Sequence, residues 1–341
     1  MVSVSIEIIY LKIYSLVHIE FFIYREAIMT TKNLMKIVIP VVLTMILGST
    51  QVSASVGTVV YDSIPTPLPP NVPSLGYQAT QTAEFGDNIQ LAGANRTAGT
   101  VTVTMSNWAL YSNYPTMNAL GYMHPITLNI YTVDHSGTNP ALGSKIKSIT
   151  QSFQIPWRPE ADTTCTTNTA WRASDGNCYN GFAFTIMFDL RSLALTLPNE
   201  FIFGIAYNTN TWGYDPIGQP GPYESLNVGL ATTTASIGTD VEPDALFWNT
   251  STAAWYTDGG AGGVGTFRRD TNWAYSPAIQ FTAFTVATTT NACKNGGWQL
   301  LSRSDGSSFK NQGDCVSWVN NPNKPVTDGK SGAKAGFLSP K

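Results

Sequence analysis

Strict two-residue alternation of apolar and polar side chains is the feature that most constrains this chain. Phe182, Phe184, Ile186, Phe188 and Leu190 alternate with Ala183, Thr185, Met187 and Asp189. Phe201, Phe203, Ile205 and Tyr207 repeat the pattern, as do Val101, Val103 and Met105, then Ile126, Leu128 and Ile130, and finally Ile279 with Phe281. A period of two puts one face of a strand in a core and the other toward water. Clusters of Gly, Pro, Asn and Asp separate the runs, as turns require. No amphipathic helix stands out after residue 55, so crossover helices are missing and the strands must pair antiparallel. Two such sheets bury their apolar faces against each other. The expected fold is all-β, an antiparallel jelly-roll-like β-sandwich, with a closed barrel as the second choice.

The chain has 341 residues, and all-β domains reach about 200–250 residues as single units. What precedes the strands reads as an export leader. Met29, Lys32 and Lys36 precede an apolar run from Ile37 to Leu47 and the small-residue site Val52-Ser53-Ala54. This is the order of a secretory signal peptide, and residues 1–28 read as an over-extended start. The apolar run is too short to span a bilayer, so the mature chain is expected to keep no permanent membrane anchor. A Pro-rich linker is expected over 55–75 and the sandwich over 76–285. A small disulfide-closed tail should follow over 286–320, and a disordered terminus over 321–341.

The four cysteines fit an oxidising compartment. They allow three pairings; Cys165 with Cys178 and Cys293 with Cys315 is favoured because each couple lies within its own segment. A metal site is the rival. It finds no Cys-x-x-Cys spacing and only His124 and His135 in the mature chain, so no metal-ligating set is expected. Closing the tail loop should stabilise it by roughly 3 kcal/mol on chain-entropy grounds. Residues 55–285 carry net charge −8 and the segment from Val286 carries +4. An acidic body argues against nucleic acid as a partner.

Candidate function sits in two long connections, 156–180 and about 231–277. These are rich in Trp and Tyr, whose flat apolar faces and polar tips suit stacking on sugars or filling a protein interface. The expected binding residues are Trp212, Trp248, Trp255, Tyr256 and Trp273; the competing view has such rings packed beneath the loops. Asp240, Glu242 and Asp244, with Asp87 and Asp258 in other turns, could offer oxygens to a structural Ca²⁺. Their spacing does not match an EF-hand, and solvated turn acids are the preferred reading, so no cofactor is expected. An enzyme is the minority reading. A glycosidase would need two carboxyls flanking a cleft, drawn from Asp215, Glu224, Asp240, Glu242, Asp244 and Asp258, and neither a GxSxG nor an HExxH motif is present. No catalytic residue is assigned.

The tail reads Cys293-Lys294-Asn295-Gly296-Gly297-Trp298, then Phe309-Lys310-Asn311-Gln312-Gly313-Asp314-Cys315-Val316. It resembles a motif at the ends of many secreted bacterial proteins. The body resembles uncharacterised secreted bacterial proteins in Ala83-Glu84-Phe85-Gly86-Asp87, His124-Pro125-Ile126-Thr127-Leu128-Asn129, Ile155-Pro156-Trp157-Arg158-Pro159 and Ser225-Leu226-Asn227-Val228-Gly229. The resemblance covers most of residues 75–320. It implies export and a β-sandwich but brings no activity or site residues. The expected role is a secreted or envelope-associated, non-catalytic module that binds an extracellular glycan or an envelope protein. A purely structural extracellular domain and a glycoside-active enzyme are the alternatives.

Overall fold

The computed structural model describes residues 57–167, 169–216 and 221–322. The start and signal peptide expected over 1–54 lie outside these residues, as does the 321–341 terminus apart from its first two positions. Sixteen strands, numbered in chain order, are described. One antiparallel sheet holds β1 (Thr58–Asp62), β2 (Ser74–Gly76), β4 (Thr97–Asn107), β9 (Phe182–Asp189), β11 (Leu226–Ala231), β15 (Ser276–Pro277) and β16 (Ile279–Phe284). The other holds β3 (Thr82–Gln90), β5 (Tyr122–Asp134), β6 (Ala141–Ile155), β10 (Glu200–Tyr207), β12 (Thr239–Asp240), β13 (Ala245–Thr250) and β14 (Arg268–Thr271). A two-stranded ribbon pairs β7 (Trp171–Arg172) with β8 (Cys178–Tyr179). The expected jelly-roll-like sandwich is what forms.

The alternating runs form its inner faces. Val101, Val103 and Met105 on β4 stand opposite Phe188, Ile186 and Phe184 on β9. Phe203 and Ile205 on β10 stand opposite Ile130 and Leu128 on β5. The two faces meet where Phe281 of β16 packs edge-on against Phe201, ring centroids 5.2 Å apart, and against Phe203 at 5.9 Å. Phe153 of β6 meets Phe188 of β9 at 4.9 Å toward the sheet margins. One continuous apolar core results.

Burial does not stop at the inner face. On the outer face of the second sheet, Tyr131, Ile202 and Phe247 pack with Phe267. Beside them Glu84 is buried and accepts hydrogen bonds from Asn129 Nδ2 at 2.8 Å and the Tyr131 hydroxyl at 2.9 Å. Burial drives its pKa above the usual carboxylate range, and these two donors pull it back in part. Strand β3 also approaches β10 closely. A Cβ on Gly86 would lie 1.8 Å from the carbonyl oxygen of Phe203, so only glycine fits there.

Three expectations need correction. The sandwich begins before residue 76, because Thr58–Asp62 pairs with β16 inside the expected Pro-rich linker; the prolines that follow mask so short a strand. The connection expected over about 231–277 contains β12, β13, β14 and β15. Strand β13 is buried on both faces, with Leu246 and Trp248 in the main core and Phe247 in the outer layer, which erases the alternation. Finally, helices do occur after residue 55: α1 (Tyr77–Thr80) and α2 (Gln312–Asn320). The Asn311 side chain caps α2 by accepting the Asp314 backbone N–H.

Both expected disulfides form, Cys165–Cys178 and Cys293–Cys315. The tail has a small core of its own, in which Ala287, Phe309 and the second disulfide pack with Trp298, Leu301 and Trp318. Arg303 holds it together, donating to Asp314 at 2.6 Å while its guanidinium covers the Phe309 ring at 4.6 Å.

Candidate functional site: a tryptophan-walled groove

An open groove of about 570 Å³ is lined by residues from both sheets. Its walls come from separate stretches of chain. Trp108 follows β4 and is 43% exposed, and Trp255 closes the 3₁₀ turn Ala253–Trp255 and is 48% exposed. Trp273, half-buried, follows β14. Leu75 and Leu230 supply apolar floor, and Ser74, Thr80, Ser225, Asn227 and Glu224 place polar groups along the rim.

Each wall is anchored. The backbone N–H of Trp108 donates to Ser225 at 2.9 Å, and its carbonyl accepts from Arg158 Nε at 3.0 Å, which ties the end of β4 to the start of β11. The indole N–H groups of Trp248 and Trp273 both donate to Asp270 Oδ2, at 3.2 and 3.0 Å. Asp270 is itself buried and also accepts from the Thr257 backbone N–H and hydroxyl. Phe85, Trp248, Tyr256 and Trp273 interlock edge to face, the two tryptophans 5.0 Å apart. The wall at Trp273 is therefore rigid. Asn227 donates to Ser74 Oγ at 3.0 Å, leaving its carbonyl oxygen toward Gly76.

The five residues expected to bind divide. Trp255 and Trp273 line the groove with accessible surface. Trp248 lines it only as its base: its side chain is fully buried, and Tyr256 is buried as well, with its hydroxyl donating to Thr266 O at 3.0 Å. These two rings are core, because β13 and the turn after it carry them beneath the surface. Trp212 sits elsewhere, in a tight turn where its carbonyl and N–H both engage Thr209. Trp157 and Trp171 also pack, against Tyr114 and Phe182 respectively. Trp108 was not among the expected residues; its one signal is a large aromatic directly after the β4 alternation.

The acids disperse. Glu242 pairs with Arg269, and Asp258 pairs with Arg268 at 2.8 Å while accepting the N–H of Gly260 and Gly262. Glu224 alone among the acids considered for glycoside chemistry lines the groove. His124 is buried against Tyr223 and Tyr207, with Nε2 2.9 Å from Asn208 O, and burial pushes its pKa down to about 4. Among the described residues, no group of three or more His, Cys, Asp or Glu converges in a way that could hold a metal ion. No helix among them is long and apolar enough to cross a membrane. Comparison with known protein families, curated proteins and solved structures finds no match.

Proposed function

We propose that this chain is an exported, non-catalytic β-sandwich module that binds an extracellular glycan in the tryptophan-walled groove. The observation that carries the reading is the groove itself, where exposed indole faces stand over a floor edged by hydroxyl, amide and carboxylate groups. A sugar ring offers the matching surfaces, with apolar C–H patches for stacking and equatorial hydroxyls for hydrogen bonds. Glycoside hydrolysis requires two carboxyls about the scissile bond, and the groove's lining contributes Glu224. Binding without turnover is the role this lining supports. Export draws its support from two disulfides, which persist in oxidising compartments, from the leader-like start of the sequence, and from the resemblance to secreted bacterial proteins.

The test is a glycan array probed with the full chain purified under oxidising conditions, followed by titration of the best ligand. Trp255→Ala and Trp108→Ala should each weaken binding about tenfold, the loss expected for one stacking face, with the fold unchanged by circular dichroism. A folded protein that binds no glycan refutes the reading, as does binding that neither substitution reduces. Capture of an envelope protein that competes for the same tryptophans would reassign the groove to a protein partner.

A further inference from the structure

A second cavity, of about 370 Å³, opens beside the junction of β3, β12 and β15 and is lined by Thr232, Thr233, Thr234, Thr239, Asp240 and Ser276 among others. The partner of β3 changes along this edge. Residues Thr239 and Asp240 pair with Gln90 and Ile89, whereas Phe247 and Trp248 pair with Gly86 and Phe85. Between these two pairings the chain loops out over 241–244, beside Asp87 and Asn88 of β3.

Asp87 does not belong to the solvent side of β3. It shares the inner face with Phe85 and Ile89, stands opposite Phe203, and is 1% exposed. Asp240 stands opposite Ile89, so it is on the same face and diagonal to Asp87. Diagonal positions lie about 7–8 Å apart, a separation that two aspartates span by holding one ion between them. The Ser276 hydroxyl, on the other sheet, neighbours both carboxyls. Oδ1 of Asp87 accepts the Asn88 N–H at 2.8 Å, but Oδ2 is buried with no hydrogen-bond partner. A buried carboxylate oxygen left without a donor is costly.

Among the described residues, no cation acts on either of these two acids. The nearby guanidinium of Arg269 is committed to Glu242, 2.8 and 3.0 Å from its two oxygens. Burial and the charges of Asp240 and Glu242 hold the Asp87 carboxyl well above its usual range, and burial with the charges of Glu242 and Asp244 raises that of Asp240. A bound dication would reverse that repulsion. The lining offers oxygen: hydroxyls of threonine and serine, a carboxylate, and backbone carbonyls. Hard cations that take six to eight oxygen ligands match such a set, and calcium tolerates its irregular geometry better than magnesium does.

We propose that Asp87 and Asp240, with the Ser276 hydroxyl, form a binding site for one calcium ion at the inner end of this cavity. Two protein carboxylates, fewer than the three-residue cluster of a closed metal centre, leave hydroxyls, carbonyls and water to complete the shell.

The experiment is thermal unfolding of the full chain, freed of metal with EDTA and then returned to EDTA, CaCl₂ or MgCl₂. Asp87→Asn and Asp240→Asn are measured in parallel. At calcium concentrations well above the dissociation constant, the melting temperature of the parent protein should rise by about 5 °C or more, and both variants should lose the rise. If Asp87→Asn does not fold, Asp240→Asn, on the cavity wall, decides alone. No rise in the parent protein overturns the proposal. So does a rise that the variants retain in full, since the ion would then bind elsewhere. A rise with magnesium equal to that with calcium overturns the assignment of the ion.

Discussion

Replacing His124 should change how acid unfolds this protein, and by an amount the structure sets. The imidazole lies beneath Tyr223 and beside Tyr207, and its Nε2–H donates to the Asn208 carbonyl. Burial lowers its pKa from 6.5 to about 4. In the unfolded chain the ring takes up a proton at pH 6.5, while in the folded chain it resists until about pH 4. A depressed pKa means stability that is fully present above 6.5 and lost as pH falls toward 4. At about 1.36 kcal/mol per unit, the folded state should lose about 2 kcal/mol between pH 7 and 5, and about 3 kcal/mol by pH 4. Glutamine retains an N–H donor near the Nε2 position but does not titrate. Urea unfolding of parent and His124→Gln, followed by tryptophan fluorescence at pH 7, 6, 5 and 4.5, gives the two stability curves. The buried acids Glu84 and Asp87 act in the opposite direction but contribute equally to both proteins, so the difference isolates the ring. The parent should be more stable at pH 7, with that lead shrinking by about 2 kcal/mol at pH 5. Parallel curves would refute the argument, for they would mean that the ring titrates normally within the fold.

Other outcomes follow from packing. Phe281→Ala removes the ring that joins the two sheets and should cost about 3–5 kcal/mol, measured as a fall in urea midpoint at constant slope. Gly86→Ala drives a methyl group into the Phe203 carbonyl and should cost about 3 kcal/mol or more, with loss of folded yield the extreme result; a neutral effect would show that β3 and β10 are not so closely apposed. Replacing Cys293 and Cys315 together by alanine should open the tail to limited proteolysis while the sandwich melts as before, because the tail's apolar cluster is separate from the main core.

How much could be read in advance depended on how each strand is buried. Strands β9 and β10 announce themselves because each presents bulky inner residues in regular alternation. Strand β13 does not: with Phe247 buried in the outer layer and Leu246 and Trp248 in the inner core, its six residues lack a polar phase. Strand β3 carries Glu84, Asp87 and Asn88 in the middle of a sheet, where composition suggests a turn, and only tertiary contacts make those groups tolerable. The fifteen-residue β6 is mostly Ser, Thr, Lys and Gln because it lies at a sheet margin with much of its surface wet. Helix α2 is too short to establish a helical period before Cys315 and its cap are seen. At the groove, the abundance of tryptophan singled out Trp255 and Trp273, and both line it. Trp255 and Tyr256 are neighbours at the end of a 3₁₀ turn, however, and composition cannot tell which of them ends up outside. Trp108 carries no comparable signal, because Glu224, Ser225, Trp255 and Trp273 reach the groove from more than a hundred residues away in sequence.

That last separation has a practical corollary. The groove draws on Ser74–Thr80, on Trp108, on Glu224–Leu230 and on the segment from Trp248 to Trp273. A ligand held there would act as a clasp between the first and last thirds of the sandwich. Occupancy should therefore raise the unfolding temperature of the whole domain rather than of one loop. Fragments cut between these segments should forfeit recognition entirely, so a thermal-shift screen of the uncut domain is a direct way to find what fits.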